Sequence, residues 1–150
     1  MDLLTTQVLD LIYRHAGRTY PSECCGFVLA DGSVHEGTNI QDEIHAVNPA
    51  TYRRTAANGY TFSVLDTVFL NNSFRTQNPV IVIYHSHPDV GAYFSHEDVD
   101  KALYDGEPIY PVDYLVVDAM AGAARGAKLF RWRRGQFVCT GDFDRDPCMN

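Results

Sequence analysis

Two histidines one residue apart, His85 and His87, are followed at once by Pro88, then by Ser95 and Asp98. The spacing reads H-x-H-P-x6-S-x-x-D. Imidazole nitrogens and a carboxylate oxygen are ligand types of zinc, and three protein ligands plus one water is the arrangement of a catalytic zinc. The chemistry open to such a set is hydrolysis, because bound zinc lowers the pKa of water from near 16 to about 7.

The surrounding residues must hold these groups in place. Val80 to Ile83 is a continuous apolar run bounded upstream by Asn78-Pro79, which reads as a short buried strand. Side chains alternate along a strand, so His85 and His87 point to the same side and Ser86 to the other, where its role is structural. Ser95-x-x-Asp98 matches a helix-capping pattern, which places Asp98 in the first turn of a following helix, rigidly aimed. Each piece has a bland reading: the cap needs no metal, and surface histidines are common. The conjunction carries the metal reading. Two rival metal chemistries fail on spacing. Zinc deaminases need H-x-E with P-C-x-x-C, and no C-x-x-C exists here. Zincins need a helical H-E-x-x-H, also absent. His15, His35, His45 and His96 belong to no constellation and are assigned no metal.

The stretch His85-Ser86-His87-Pro88, Ser95 and Asp98 resembles the signature of the JAMM (JAB1/MPN/Mov34) metallopeptidases, every fixed position being filled. The family's upstream glutamate is matched by Glu23 in Pro21-Ser22-Glu23-Cys24-Cys25-Gly26. By itself Glu23 reads as a solvated loop acid. The resemblance covers most of the chain and implies a compact prokaryotic-type member. It implies one zinc per chain held by His85, His87 and Asp98. It also implies Glu23 as the group that takes a proton from water and hands it to the leaving amine. Ser95 is then placed to donate its hydroxyl to the developing oxyanion.

The chain of 150 residues suits one domain with one core. Its 45% hydrophobic and 21% charged residues are ordinary for a globular protein, and no stretch is apolar enough to span a membrane. The N-terminus lacks a basic n-region and does not read as a signal peptide. Four cysteines without C-x-x-C spacing point away from a disulfide framework and toward a reducing cytoplasm. A net charge of −7 argues against nucleic-acid binding, although five of the twelve basic residues fall between Arg125 and Arg134.

In chain order, Leu4, Val8, Leu11, Ile12 and Ala16 have helical spacing, with Gly17 as a stop. A hairpin follows, from Gly26–Ala30 through Asp31-Gly32 to Ser33–Gly37. Residues 38–62 are the least readable; the pair Arg53-Arg54 is read as solvated rather than as a contact for a substrate carboxylate. Ser63-x-x-Asp66 opens a second capped helix, with Val64, Leu65, Val68 and Phe69 expected inward. The metal strand and its helix come next, the helix ending at Gly106. Tyr114–Val117 reads as another buried strand, and Lys128–Trp132 with Phe137–Cys139 as a hairpin around Arg134-Gly135. The order gives a mixed α/β domain over residues 1–140 and a polar, mobile tail over 141–150. Asp142, Asp144 and Asp146 lack the glycine and closing glutamate of a calcium loop. The family resemblance adds a curved, mostly antiparallel sheet flanked by helices.

The function this implies is a zinc metallo(iso)peptidase. It cleaves after the C-terminal glycine of a ubiquitin-like or sulfur-carrier protein, in deconjugation, precursor processing or cysteine release. An adenylating E1-like enzyme in the same pathway would be a further partner. The alternatives are a catalytically silent MPN-type interaction module and a phage-tail assembly peptidase. The first is disfavoured because all ligands are present. The second is the lesser expectation because such domains often precede a second peptidase domain, and these 150 residues hold none.

Overall fold

A computed structural model describes residues 3–144. The elements are α1 (Thr6–Thr19), β1 (Cys25–Leu29), β2 (Val34–Glu36), α2 (Gln41–Val47), α3 (Val64–Ser73), β3 (Val80–Pro88), α4 (His96–Ala102), β4 (Leu103–Tyr104), β5 (Glu107–Pro108), β6 (Asp113–Met120), β7 (Ala123–Arg133) and β8 (Gln136–Asp144). Six strands form one sheet in the order β2-β1-β3-β6-β7-β8, and β4 and β5 form a separate small ribbon. Among the described residues only the β3–β6 pairing is parallel, the crossover running through α4 and the ribbon. The sheet is therefore mixed but mostly antiparallel, as expected. Among the described residues no helix is long and apolar enough to cross a membrane.

The central strand β3 is covered on both faces. On one side Val82 and Tyr84 join Ile12, Ala16, Val28, Leu115 and Val117 in a cluster under α1. On the other, Ile83 joins Phe27, Leu70, Ala102 and Tyr114. Each fully buried side chain of this kind contributes about 1.5–3 kcal/mol of transfer free energy. By alternation, His85 and His87 share the face of Ile83.

β1 crosses β3 with Gly26 directly opposite Tyr84. A Cβ at Gly26 would lie 2.4 Å from the Tyr84 hydroxyl and 2.5 Å from the His35 carbonyl oxygen, so only glycine fits. The Tyr84 hydroxyl meets His15 Nδ1 at 2.7 Å, which satisfies two buried polar groups at once.

Four expectations change. Helix α1 does not stop at Gly17 but runs to Thr19, and ends before Pro21, which has no N–H to continue it. Helix α4 ends at Ala102, short of Gly106, because Leu103 and Tyr104 pair with Glu107 and Pro108 around Asp105-Gly106, both at positive φ. Helix α3 turns its expected core face outward: Val64 and Leu65 are 74% and 82% exposed, and Asp66, Leu70 and Ser73 are buried instead. Strand β8 continues through Gly141 to Asp144, where the sequence suggested a tail, because Phe143 packs on the α1-side core and its carbonyl accepts from the Tyr13 hydroxyl at 3.0 Å. Residues 145–150 of that tail, Asp146 included, lie outside the described residues. The β7–β8 turn matches expectation, with Arg134 and Gly135 both at positive φ.

Candidate metal centre

Strand β3 delivers His85 and His87, and α4 delivers Asp98. The Ser95 hydroxyl oxygen accepts from the Asp98 N–H at 3.1 Å, and Asp98 Oδ2 accepts from the Ser95 N–H at 3.0 Å. This complete capping box fixes the carboxylate in the first turn. His85 Nε2 lies 3.1 Å from His87 Nε2 and 3.2 Å from Asp98 Oδ1, and His87 Nε2 lies 3.3 Å from Asp98 Oδ2. All three residues are buried.

These separations suit a metal. Ligand bonds of about 2.0–2.1 Å in tetrahedral array put ligand atoms about 3.3–3.4 Å apart. The tautomers agree as well. The Gly91 carbonyl accepts from His87 Nδ1 at 3.1 Å, which leaves the His87 Nε2 lone pair facing the centre. His85 Nδ1 is buried and, among the described residues, has no hydrogen-bond partner. His85 is instead stacked on Tyr60, with ring centroids 4.6 Å apart. The buried group can hold a metal ion.

Burial pushes the His85 imidazole down, toward the neutral form that ligates. Burial acts the same way on His87, but hydrogen bonding and charge from Asp98 outweigh it and raise His87. Burial would raise Asp98; the His85 and His87 imidazoles that face it outweigh burial and hold its carboxyl well below the usual carboxylate range.

Glu23 is also buried, just ahead of β1. Burial raises its carboxyl to about 7; the Asp98 charge adds to this, while His87, Lys101 and Arg54 oppose it. Its backbone is held from both sides. Its N–H donates to the Ala56 carbonyl at 2.7 Å, and its carbonyl accepts from Asn39 Nδ2 at 3.0 Å. Next door, Ser86 Oγ accepts from the Cys24 N–H at 2.8 Å, and the Ser86 N–H donates to the Cys24 carbonyl at 3.1 Å. Ser86 thus ties the segment carrying Glu23 to the strand carrying the histidines. Burial pushes the Cys24 thiol up to about 12 and raises Cys25 as well, so neither is a thiolate nucleophile at neutral pH.

Asn39, Tyr60 and Lys101 escaped the sequence reading. Asn39 is a hub: besides Glu23 it bonds the Gly59 carbonyl and the N–H groups of Gln41 and Thr61. An isolated asparagine between turn signals carries no spacing signal that would reveal this. Lys101 follows Asp98 by three residues, a helical spacing that could have revealed it. Arg54 is paired with Glu97 at 2.7 Å.

The family model for prokaryotic homologues of the JAB domain matches residues 5–134. A protein from Salinibacter ruber, solved in solution, superposes with a TM-score of 0.57 at 24% identity, covering 95% of this chain and 91% of its own. Another from Desulfitobacterium hafniense gives 0.62 at 18% identity, covering 90% and 86%. Both likenesses concern the fold alone. A search of curated proteins finds no significant match.

Proposed function

The chain belongs to the prokaryotic homologues of the JAB domain, and from that premise we propose that it is a zinc-dependent peptidase or isopeptidase. It would act after the C-terminal glycine of a ubiquitin-like or sulfur-carrier protein. The observation that carries the reading is the convergence of His85 Nε2, His87 Nε2 and the Asp98 carboxylate at 3.1–3.3 Å, with a second buried carboxyl, Glu23, whose charge interacts with His87 and Asp98.

His85, His87 and Asp98 would hold the ion. A zinc ion there supplies Lewis acidity and brings the pKa of water to about 7. Glu23, poised near neutrality, takes the proton of the attacking water and returns it to the leaving nitrogen. The Ser95 hydroxyl accepts from Asp98 N–H and keeps its own hydrogen for the carbonyl oxygen of the substrate. The thiols of Cys24 and Cys25 take no part.

A substrate backbone must come close to these buried groups, and glycine permits that because it has no Cβ and tolerates unusual dihedrals. An extended tail could add to a sheet edge, gaining main-chain hydrogen bonds. An adenylating enzyme acting on the same carrier would be a pathway partner.

The test is a zinc-loaded incubation with a carrier ending Gly-Gly-X, read by mass spectrometry beside Gly-Ala-X and Ala-Ala-X carriers. Cleavage after Gly-Gly, at least about tenfold faster than after the others and abolished by chelator, is expected from the steric demand. Equal zinc-dependent rates on all three would remove the Gly-Gly demand, and an intact carrier with loaded zinc would remove the peptidase.

A further inference from the structure

Lys101 lies one turn beyond Asp98 on α4, at the i+3 spacing that puts two side chains on one face. Its ammonium stands 3.8 Å from the centroid of the Tyr60 ring, the same ring that stacks on His85. Lys101 is exposed, so it forms part of the rim rather than the floor. Among the described residues, no carboxylate lies within ion-pair distance of it, whereas the neighbouring cation Arg54 is already bound to Glu97. The strongest single charge acting on Lys101 is Glu23, with Asp98 next. Among the described residues, the centre is thus edged by a cation that is in ion-pair contact with no carboxylate, although the charges of Glu23 and Asp98 act on it.

The proposed chemistry says which side of the substrate meets that cation. Glu23 returns its proton to the leaving nitrogen, so the departing residue lies on the Glu23 side. Glu23 is also the largest charge acting on Lys101, whose ammonium lies over the ring that stacks on His85. In a residue released from a chain end, the α-carboxylate is separated from the leaving nitrogen by the Cα alone. In an isopeptide, the leaving nitrogen sits at the end of a lysine side chain and carries only methylenes nearby.

We propose that Lys101 receives the free α-carboxylate of a single residue released from the carrier's C-terminus, and so sets the preference among leaving groups. This rests on the peptidase reading above. Lys101 acts as a specificity residue: it makes a charge contact with the departing acid and takes no proton in the reaction. The Tyr60 face holds the ammonium by a cation–π contact, which limits the entropy lost when the carboxylate arrives.

The experiment uses two carrier peptides ending Gly-Gly-Ala, one with a free C-terminal carboxylate and one amidated. Binding is measured by calorimetry to zinc-loaded Glu23→Gln chain, and kcat/KM on the otherwise unaltered enzyme. The acid should be preferred about fivefold to tenfold in both, the scale of one partly exposed charge pair. In a Lys101→Met background, which keeps an apolar stem over Tyr60, the acid-to-amide ratio should fall to about one; Lys101→Arg should keep most of it. A ratio of one with Lys101 present overturns the proposal. A ratio that survives Lys101→Met also overturns it, because the carboxylate is then held by something else. If both peptides are cleaved, either result leaves the peptidase standing. If zinc loads and neither peptide binds or is cleaved, the peptidase reading falls and this one with it.

Discussion

Helices α3 and α4 open with the same four-residue device, Ser63-x-x-Asp66 and Ser95-x-x-Asp98, and in both the aspartate is buried beside histidine. Their surroundings differ in the balance of protons and lone pairs. Asp66 accepts from the Thr38 N–H at 2.7 Å and the Ser63 hydroxyl at 2.8 Å, and meets a single imidazole, His35 Nε2, at 2.9 Å. His35 is itself stacked on Phe69 and Phe27. In that group each carboxylate oxygen meets a hydrogen-bonding partner within the protein. Asp98 instead faces two imidazoles whose Nε2 atoms face each other at 3.1 Å. There lone pairs outnumber protons, and the natural partner is a cation. An identical local motif thus serves folding in one helix and, in the other, a group that can hold a metal ion. The second histidine on β3 makes the difference.

Paired substitutions break the comparison most severely. Asp98→Ala should lose nearly all zinc at modest chelator and, with it, turnover. Asp66→Ala should keep zinc but lose about 1–2 kcal/mol of stability, because it leaves the Thr38 N–H and the half-buried His35 imidazole without their partner. Metal analysis and denaturant melts on both variants check this; full zinc in Asp98→Ala would put α4 in the same class as α3.

A buried second carboxyl, Glu23, separates the two regions further. Glu23→Gln should bind zinc normally and turn over at least about a hundredfold more slowly, the lower end for general acid–base catalysis. It should also change pH dependence. Glu23 ionises near 4.5 when unfolded and about 7 when folded, so between those values the folded metal-free chain holds the extra proton. Its stability therefore falls as pH rises through that window, by about 3 kcal/mol. Glu23→Gln should flatten the slope in chemical melts of metal-free protein.

The smallest separation is between the two caps. Ser63→Ala and Ser95→Ala should each cost about 1 kcal/mol of stability, the usual value of a cap. Only Ser95→Ala should also lower kcat, by about a hundredfold or more with KM little changed, as for a lost oxyanion donor. Equal kinetics in the two variants would return Ser95 to a purely structural role.

How far these regions were legible depended on how local their signals are. His85, His87 and Asp98 lie within fourteen residues, and strand alternation plus a cap suffices to aim them. Glu23 was visible only through family resemblance, because its burial depends on residues 38–62, where Asn39 and Ala56 hold it through backbone groups. Helix α3 was misoriented for a related reason. Its apolar residues lie nearly all round, so amphipathicity does not choose a face. The choice falls to Asp66, pinned by Thr38 and His35, which turns Leu70 and Ser73 inward and Val64 and Leu65 outward. A polar contact to a residue 28 positions away left no periodicity to read.

Gly26 carries no functional group and lies on the opposite face of the sheet from the histidines' ligand atoms, yet it works as a detent. β1 can slide along β3 only until its one position without a Cβ meets the Tyr84 hydroxyl, and that seat fixes how far Glu23 stands from His85 and His87. A slip of two residues would keep every side chain on its proper face but carry the acid about 7 Å along the strand. The distance between Glu23 and the two histidines is therefore gauged by a packing contact, and a lesion at Gly26 would disable the proposed chemistry while leaving each chemical group intact.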